Sequence, residues 1–204
     1  MQKPEFILSK GRFESFSDGV FAIAITLLII EVRLPPGATA VSTSAQQAHW
    51  LIEIWPQYLV YAVSFATIGI MWLNHHALIV NAQKITHGCV IANLLLLGFV
   101  SFLPFTTEVT ARLGLTSTTV VYYGLTMIAI SIGYTLLQQQ IHVANLQHRA
   151  PLTLWNIMGL GAYPLATVVG YFVPIAGVIL IALLAVYYML PKNVRAVALS
   201  TRDT

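Results

Sequence analysis

The stretch Arg12-Phe-Glu-Ser-Phe-Ser-Asp18 leads directly into the apolar run Gly19-Val-Phe-Ala-Ile-Ala-Ile-Thr-Leu-Leu-Ile-Ile30. A helix of about 20 predominantly apolar residues is long enough to cross the hydrocarbon core of a bilayer. We therefore predict a first transmembrane helix over residues 13–34, ended by Pro35-Pro36, which cannot continue a helix. Asp18 lies inside this span, where an ionisable group is unfavourable and usually has both a partner and a purpose.

The composition of the whole chain also indicates that most of it is surrounded by lipid. Of its 204 residues, 57% are hydrophobic and 8% are charged, and the mean hydropathy is +0.78. A soluble domain carries about 25% charged residues, so a soluble globular protein is excluded. We predict an all-α integral membrane protein that forms a single transmembrane domain over residues 1–204. Its six transmembrane helices are predicted at about 13–34, 51–80, 88–113, 117–143, 152–172 and 173–190, with a loop from Gly37 to about His49.

The lysines and arginines predict the orientation of these helices. With the N-terminus inside, only Arg33 and Arg112 of the ten basic residues lie on outer segments. Cytoplasmic segments of membrane proteins are enriched in such residues, so we expect both termini in the cytoplasm. Because the basic residues are scattered at the ends of apolar runs, no nucleic-acid partner is predicted, and the first run lacks the cleavage site of a signal peptide. The eight residues assigned to the inside are Lys3, Lys10, Arg12, Lys84, Arg149, Lys192, Arg195 and Arg202.

Asp18 also has a simpler interpretation as part of a helix cap. Ser15, Ser17 or Asp18 would then satisfy free backbone amides at the start of the first helix. This hypothesis predicts that the helix begins near Ser17 and leaves about 17 residues to span the membrane.

The apolar residues of the first helix form a narrow stripe. At about 100° per residue, Ile23, Leu27, Ile30 and Leu34 fall on one side of the helix. Asp18 points roughly 140° away from that side. Asp18 is therefore expected to face neighbouring helices, and periodicity alone favours a lipid-facing or packed stripe.

Polar residues of three helices are predicted to lie at one depth near the cytoplasm. The second helix ends in Trp72-Leu-Asn74-His75-His76, and Asn93 lies about one and a half turns into the third helix. Lipid cannot satisfy such groups, so they should bond to one another. We predict a buried hydrogen-bond network of Ser17, Asp18, Trp72, Asn74, His75, His76 and Asn93.

The same residues do not predict a metal or a catalytic site. His75 and His76 are about 100° apart on a helix, which suits joint chelation poorly. The usual helical zinc spacing is i, i+4. No nucleophile or second acid accompanies the Asp-His pair, so we predict neither an enzyme nor a cofactor. The single cysteine, Cys89, is expected to be a small buried apolar residue.

The Arg12-x3-Phe16-Ser17-Asp18 motif and the following Gly-Val-Phe-Ala-Ile-Ala-Ile-Thr26 resemble the signature of one family. It is that of the bacterial homologues of the endosomal and lysosomal transmembrane potassium channel. The residues that match its second and third helices are Trp72-Leu-Asn-His-His76, Asn93 and Leu103-Pro-Phe105. The resemblance covers the whole chain in topology, and its specific motifs lie within about the first 105 residues.

The resemblance implies a homotetramer in the bacterial plasma membrane, with the first helix of each protomer lining one central pore. It implies passive conduction of potassium without the TVGYG filter of ordinary potassium channels, which this sequence also lacks. Ile23, Leu27 and Ile30 match the apolar constriction, and Thr26 matches a polar position behind it. Arg12 and Asp18 match the packing network.

Two features bear on how such a channel would open. Ile23 lies roughly 15 Å along the first helix, near the middle of a core about 30 Å thick. Four isoleucines there would form a dry ring, and hydrophobic constrictions gate by dewetting. The segment from Lys192 to Thr204 is too small for a ligand-binding domain, which predicts leak-like conduction.

A small secondary transporter is the main alternative. It would couple to protons through Asp18 and a histidine, and Pro104 and Pro164 would supply the broken helices that transporters often use. An intramembrane enzyme has less support, because the sequence offers no paired acids, nucleophile elbow or metal-binding spacing. A structural membrane protein without a transport role is a third alternative.

Overall fold

Helices make up nearly all of the structure. The computed structural model describes residues 9–35, 37–38, 43–146 and 154–189, and within these ranges the chain forms helices and no strand. The first helix continues into a 3-10 turn over Leu28–Glu31. The α-helices are α1 (Lys10–Leu27), α2 (Ser44–Glu53), α3 (Trp55–Val80), α4 (His87–Leu113), α5 (Ser117–Leu146), α6 (Leu154–Phe172) and α7 (Pro174–Met189).

Helix α1 begins at Lys10, so the hypothesis that it is capped near Ser17 is wrong. Ser17 lies two turns inside the helix, where its hydroxyl donates a 2.9 Å hydrogen bond to the Phe13 carbonyl. The first span, predicted at about 13–34, corresponds to a helical segment from Lys10 to Glu31. The chain leaves the helix after Glu31, because the Arg33 amide donates to Gln57 Oε1 at 2.8 Å instead of to a helical carbonyl.

The predicted loop over residues 37–49 is wrong from Ser44 onward. Thr43 and Gln46 form a capping box, in which the Gln46 amide donates to Thr43 Oγ1 and the Thr43 amide donates to Gln46 Oε1. These reciprocal bonds start α2, which takes up the first residues predicted for the second span. Helix α3 starts afresh at Trp55, and Pro56 is tolerated in its first turn because it needs no amide partner there.

Two prolines lie inside continuous helices. Helix α4 runs through Pro104, and α6 runs through Pro164. Helices α6 and α7 are joined at Val173, and the lack of side chains at Gly170 and Gly177 lets them approach closely. Residues 152–153 of the fifth predicted span and residue 190 of the sixth lie outside the described ranges. The basic residues Lys3, Arg149, Lys192, Arg195 and Arg202 also lie outside them.

The length and composition of the helices suit a membrane. Of the described helices, α1 with its 3-10 turn, α3, α4 and α5 are long and apolar enough to cross a bilayer, and α7 is apolar but has 16 residues. Hydroxyl groups between these helices pair internally, since lipid offers them no partner. Ser64 of α3 bonds to Thr107 of α4 at 2.8 Å and to Tyr123 of α5 at 2.9 Å.

Helix α1 lies at the edge of the bundle. Among the described helices it packs against α3 and α4 alone, whereas α4 to α7 pack successively on one another. At one end, Lys10 Nζ donates to the Val80 carbonyl at 2.6 Å. At the other, Arg33 lies 3.7 Å from Glu108, which also pairs with Arg112 at 2.6 Å. Both ends of this segment are thus anchored to its two neighbours.

Candidate functional site

One stripe of α1 attaches it to the bundle. The buried residues of this helix and its 3-10 turn recur every three or four positions, which places them on one face toward α3 and α4. They are Phe13, Ser17, Phe21, Ala24 and Leu28. Glu14, Val20 and Ile25 are half-buried at the margins of this face, and the opposite side of α1 is not covered by the described part of the chain.

The residues predicted to form the constriction lie on that uncovered side. Ile23 is 61% exposed, Leu27 is 41% exposed and Ile30 is 57% exposed. Thr26 lies beside them, and its hydroxyl donates to the carbonyls of Ala22 and Ile23 at 2.8 and 3.0 Å. The exposed surface is therefore an apolar stripe whose one hydroxyl is already satisfied by its own helix.

A chain of hydrogen bonds lies directly behind this stripe. Asn93 Nδ2 donates to Ser17 Oγ at 2.9 Å, which joins α4 to α1. Asn93 Oδ1 lies 2.8 Å from His75 Nε2, which joins α4 to α3. Because an amide oxygen only accepts, His75 Nε2 carries the hydrogen of this bond. All three side chains are at most 2% exposed, so the chain is shielded from solvent.

Aromatic rings enclose the buried histidine. The His75 ring stacks on Phe13 with its centroid 6.3 Å away, and Phe21 meets it at 5.3 Å in a tilted arrangement. Sequence reasoning did not assign a role to these two phenylalanines. Their spacing of four residues on either side of Ser17 is the signal that would have placed them on its face.

Asp18 belongs to a second, separate contact. Its Oδ1 accepts a 2.8 Å hydrogen bond from the Trp72 indole, and the Trp72 ring stacks on His76 at 6.0 Å. Trp72 and His76 are both on the exposed side of α3, unlike the buried His75. The described hydrogen bonds of Asp18 therefore go to the indole and not to either histidine. The prediction of one buried network is thus wrong for Asp18, Trp72 and His76, which are exposed and form their own contact.

Asn74 and Arg12 join neither group. Asn74 turns away from α1 because consecutive helical residues point about 100° apart. Its carbonyl accepts from the Tyr134 hydroxyl at 3.2 Å, and its side chain lines a cavity on the other side of α3. The Arg12 side chain is exposed and makes no hydrogen bond or ion pair within the described ranges.

The chain is similar in sequence to a family of known channels. Residues 12–104 match the protein family described as the endosomal/lysosomal potassium channel TMEM175. A potassium channel of a Chryseobacterium strain is 31% identical over 191 residues, which cover 91% of this chain and 95% of that protein. The mouse endosomal/lysosomal proton channel TMEM175 is 40% identical over 108 residues, 51% of this chain and 22% of that protein.

A solved structure extends the similarity to the fold. The crystal structure of a lysosomal potassium-selective channel TMEM175 homolog from Chamaesiphon minutus superposes with a TM-score of 0.75 and 30% sequence identity. The alignment covers 88% of this chain and 96% of that one.

Proposed function

This chain belongs to the TMEM175 family of channels, and from that premise we propose that it conducts potassium ions passively across the bacterial plasma membrane. The observation that carries the proposal is the uncovered apolar stripe of α1. Ile23, Leu27 and Ile30 are exposed on a helix that is otherwise anchored firmly at both ends. A stripe of this kind is suited to a surface shared between protomers.

We further propose a topology of six spans, formed by α1 and α3 to α7, with both termini in the cytoplasm. Lys10, Arg12 and Lys84 lie at one end of the described bundle, where Lys10 bonds to the end of α3. Arg33 and Arg112 lie together at the opposite end on Glu108. This distribution supports an inner end rich in basic residues and an outer end held by an ion-pair cluster.

The proposed pore is formed by four copies of α1 around a central axis. With the Ile23 stripe facing that axis, the buried stripe of Phe13 and Ser17 faces away from it. The bonds from Ser17 through Asn93 to His75 then fix the rotation of α1 without touching the ion. Their role is to position the constriction.

Selectivity in this arrangement comes from dehydration. A ring of isoleucine side chains offers no oxygen to replace the hydration shell of an ion, and such constrictions exclude water. Potassium sheds its water more easily than sodium, so a dry ring favours potassium. Thr26 lies next to this ring, and its hydroxyl donates its hydrogen to carbonyls of its own helix. The Thr26 hydroxyl oxygen is therefore the polar side-chain atom nearest to the ring.

A proton-coupled transporter remains the second candidate, because one relative is named a proton channel and Asp18 lies in the span. The broken helices expected for a transporter are not seen, since α4 and α6 pass through Pro104 and Pro164. This continuity favours the channel.

Potassium efflux from liposomes holding the purified protein tests the proposal. We expect efflux driven by a potassium gradient alone, at least about tenfold faster than sodium efflux, which corresponds to a barrier difference of about 1.4 kcal/mol. Efflux should continue when the internal and external pH are clamped at one value, and it should persist without any added ligand if conduction is leak-like. Flux that saturates and stops without a proton gradient would instead identify a transporter.

A further inference from the structure

A second polar feature lies inside each protomer, on the side of α3 that faces away from α1. It is a cavity of about 30 Å³ lined by residues of α3, α5, α6 and α7. Helix α3 lines it with Thr67, Ile70, Met71 and Asn74, which recur every three or four residues and so form one face. The cavity is separate from the stripe proposed to line the pore.

Two hydroxyl groups in the cavity wall have no hydrogen-bonding partner among the residues that the structure describes. Ser131 of α5 is 7% exposed and Tyr163 of α6 is 6% exposed, yet neither hydroxyl bonds to any group in the described ranges. The hydroxyls of Thr67 and Thr135, in the same wall, donate to backbone carbonyls of their own helices at 2.8 and 2.9 Å. Buried polar groups are nearly always hydrogen-bonded, so Ser131 and Tyr163 call for a bound partner.

The size of the cavity identifies that partner. A water molecule needs about 10–15 Å³ of such space, whereas a cavity that binds benzene measures about 150 Å³. The cavity therefore admits about two waters and no organic ligand. Gly159 preserves this space, because a Cβ there would lie 2.5 Å from Ser131 Oγ and 3.1 Å from the Tyr188 hydroxyl.

We propose that the cavity is a water site that joins α3, α5 and α6 within each protomer. Ordered water accepts from or donates to the hydroxyls of Ser131 and Tyr163 and the side-chain amide of Asn74. That amide also lines the cavity and has no hydrogen bond within the described part of the chain. Asn156, in the first turn of α6, lines the same cavity.

The melting temperatures of the Ser131→Ala and Tyr163→Phe variants test this site. What matters is whether each Tm falls or rises relative to the unmodified protein. With water bound, each variant removes a bond to that water, and the Tm should fall by about 2–4 °C, as expected for a loss of about 1 kcal/mol in a chain of this size. In a dry cavity, the same variants would remove an unpaired buried hydroxyl, and the Tm would stay unchanged or rise.

Ser101→Ala is the matched control, because Ser101 is exposed on α4 and its hydroxyl donates to Gly98 of the same helix. Its Tm should stay within about 1 °C of that of the unmodified protein. A density map of the purified protein gives a second readout that does not depend on stability. Density for water within about 3 Å of Ser131 Oγ supports the site, and an empty cavity overturns it.

Discussion

Ile23→Asn is expected to raise potassium flux about tenfold and to reduce the preference for potassium over sodium. The proposed constriction is dry because four Ile23 side chains meet at it, and Ile23 is the most exposed residue of the stripe. Amide groups would replace part of the hydration shell and lower the barrier for both ions, more for the strongly hydrated sodium. A barrier lowered by about 1.4 kcal/mol accelerates flux tenfold. Parallel potassium and sodium efflux from liposomes measures both effects.

Ile29→Asn provides the control for this variant. Ile29 is 54% exposed in the same segment but lies about a third of a turn from Ile23 around the helix axis. It introduces the same amide at a similarly exposed position and should leave the potassium-to-sodium ratio unchanged. If Ile23→Asn and Ile29→Asn alter the fluxes equally, Ile23 does not form the constriction.

Asn93→Leu is expected to lower the melting temperature clearly and to reduce potassium flux. The variant leaves the buried His75 Nε2–H without its acceptor and removes a bond to Ser17 Oγ. Orphaning a buried polar group destabilises a protein by about 1–3 kcal/mol, and hydrogen bonds between membrane helices fall at the lower end of this range. The Tm should therefore fall by about 2–6 °C. Flux should fall because α1 loses the bond that sets its rotation.

Asn81→Leu separates this effect from the mere loss of an asparagine. Asn81 is exposed at the end of α3, and its amide donates to the Ala77 carbonyl at 3.3 Å. Thermal unfolding in detergent and efflux from liposomes should show little change for this variant. Equal losses at Asn81 and Asn93 would contradict a positioning role for the buried chain of hydrogen bonds.

The family and the meeting of Ser17, Asn93 and His75 could be predicted from local signals. The Arg12 and Phe16-Ser17-Asp18 motif predicted the family, which the match over residues 12–104 confirms. Counting helical rise along antiparallel spans was sufficient to place the three polar residues at one depth, because depth depends on sequence position alone. The same counting placed Ile23, Leu27 and Ile30 on one side of the first helix, and all three are exposed.

What could not be predicted depends on direction and packing. Depth does not say which face a residue occupies, so Asn74 was grouped with His75 although they lie on different sides of α3. Helix α2 was missed because its apolar content is low, although the Thr43 and Gln46 capping signal was present in the sequence. The cavity beside Ser131 is formed by four helices, and no single segment encodes it.

Cadmium block of Ile23→Cys protein in liposomes tests the central claim most directly. Four thiolates at a narrow constriction would bind this soft cation tightly and stop the potassium flux. The only native cysteine, Cys89, is buried, so the unmodified protein should be insensitive. Our account predicts block of Ile23→Cys by micromolar cadmium and uninterrupted flux through Ile29→Cys. Potassium flux through Ile23→Cys that cadmium leaves unchanged would contradict a pore lined by this face of α1.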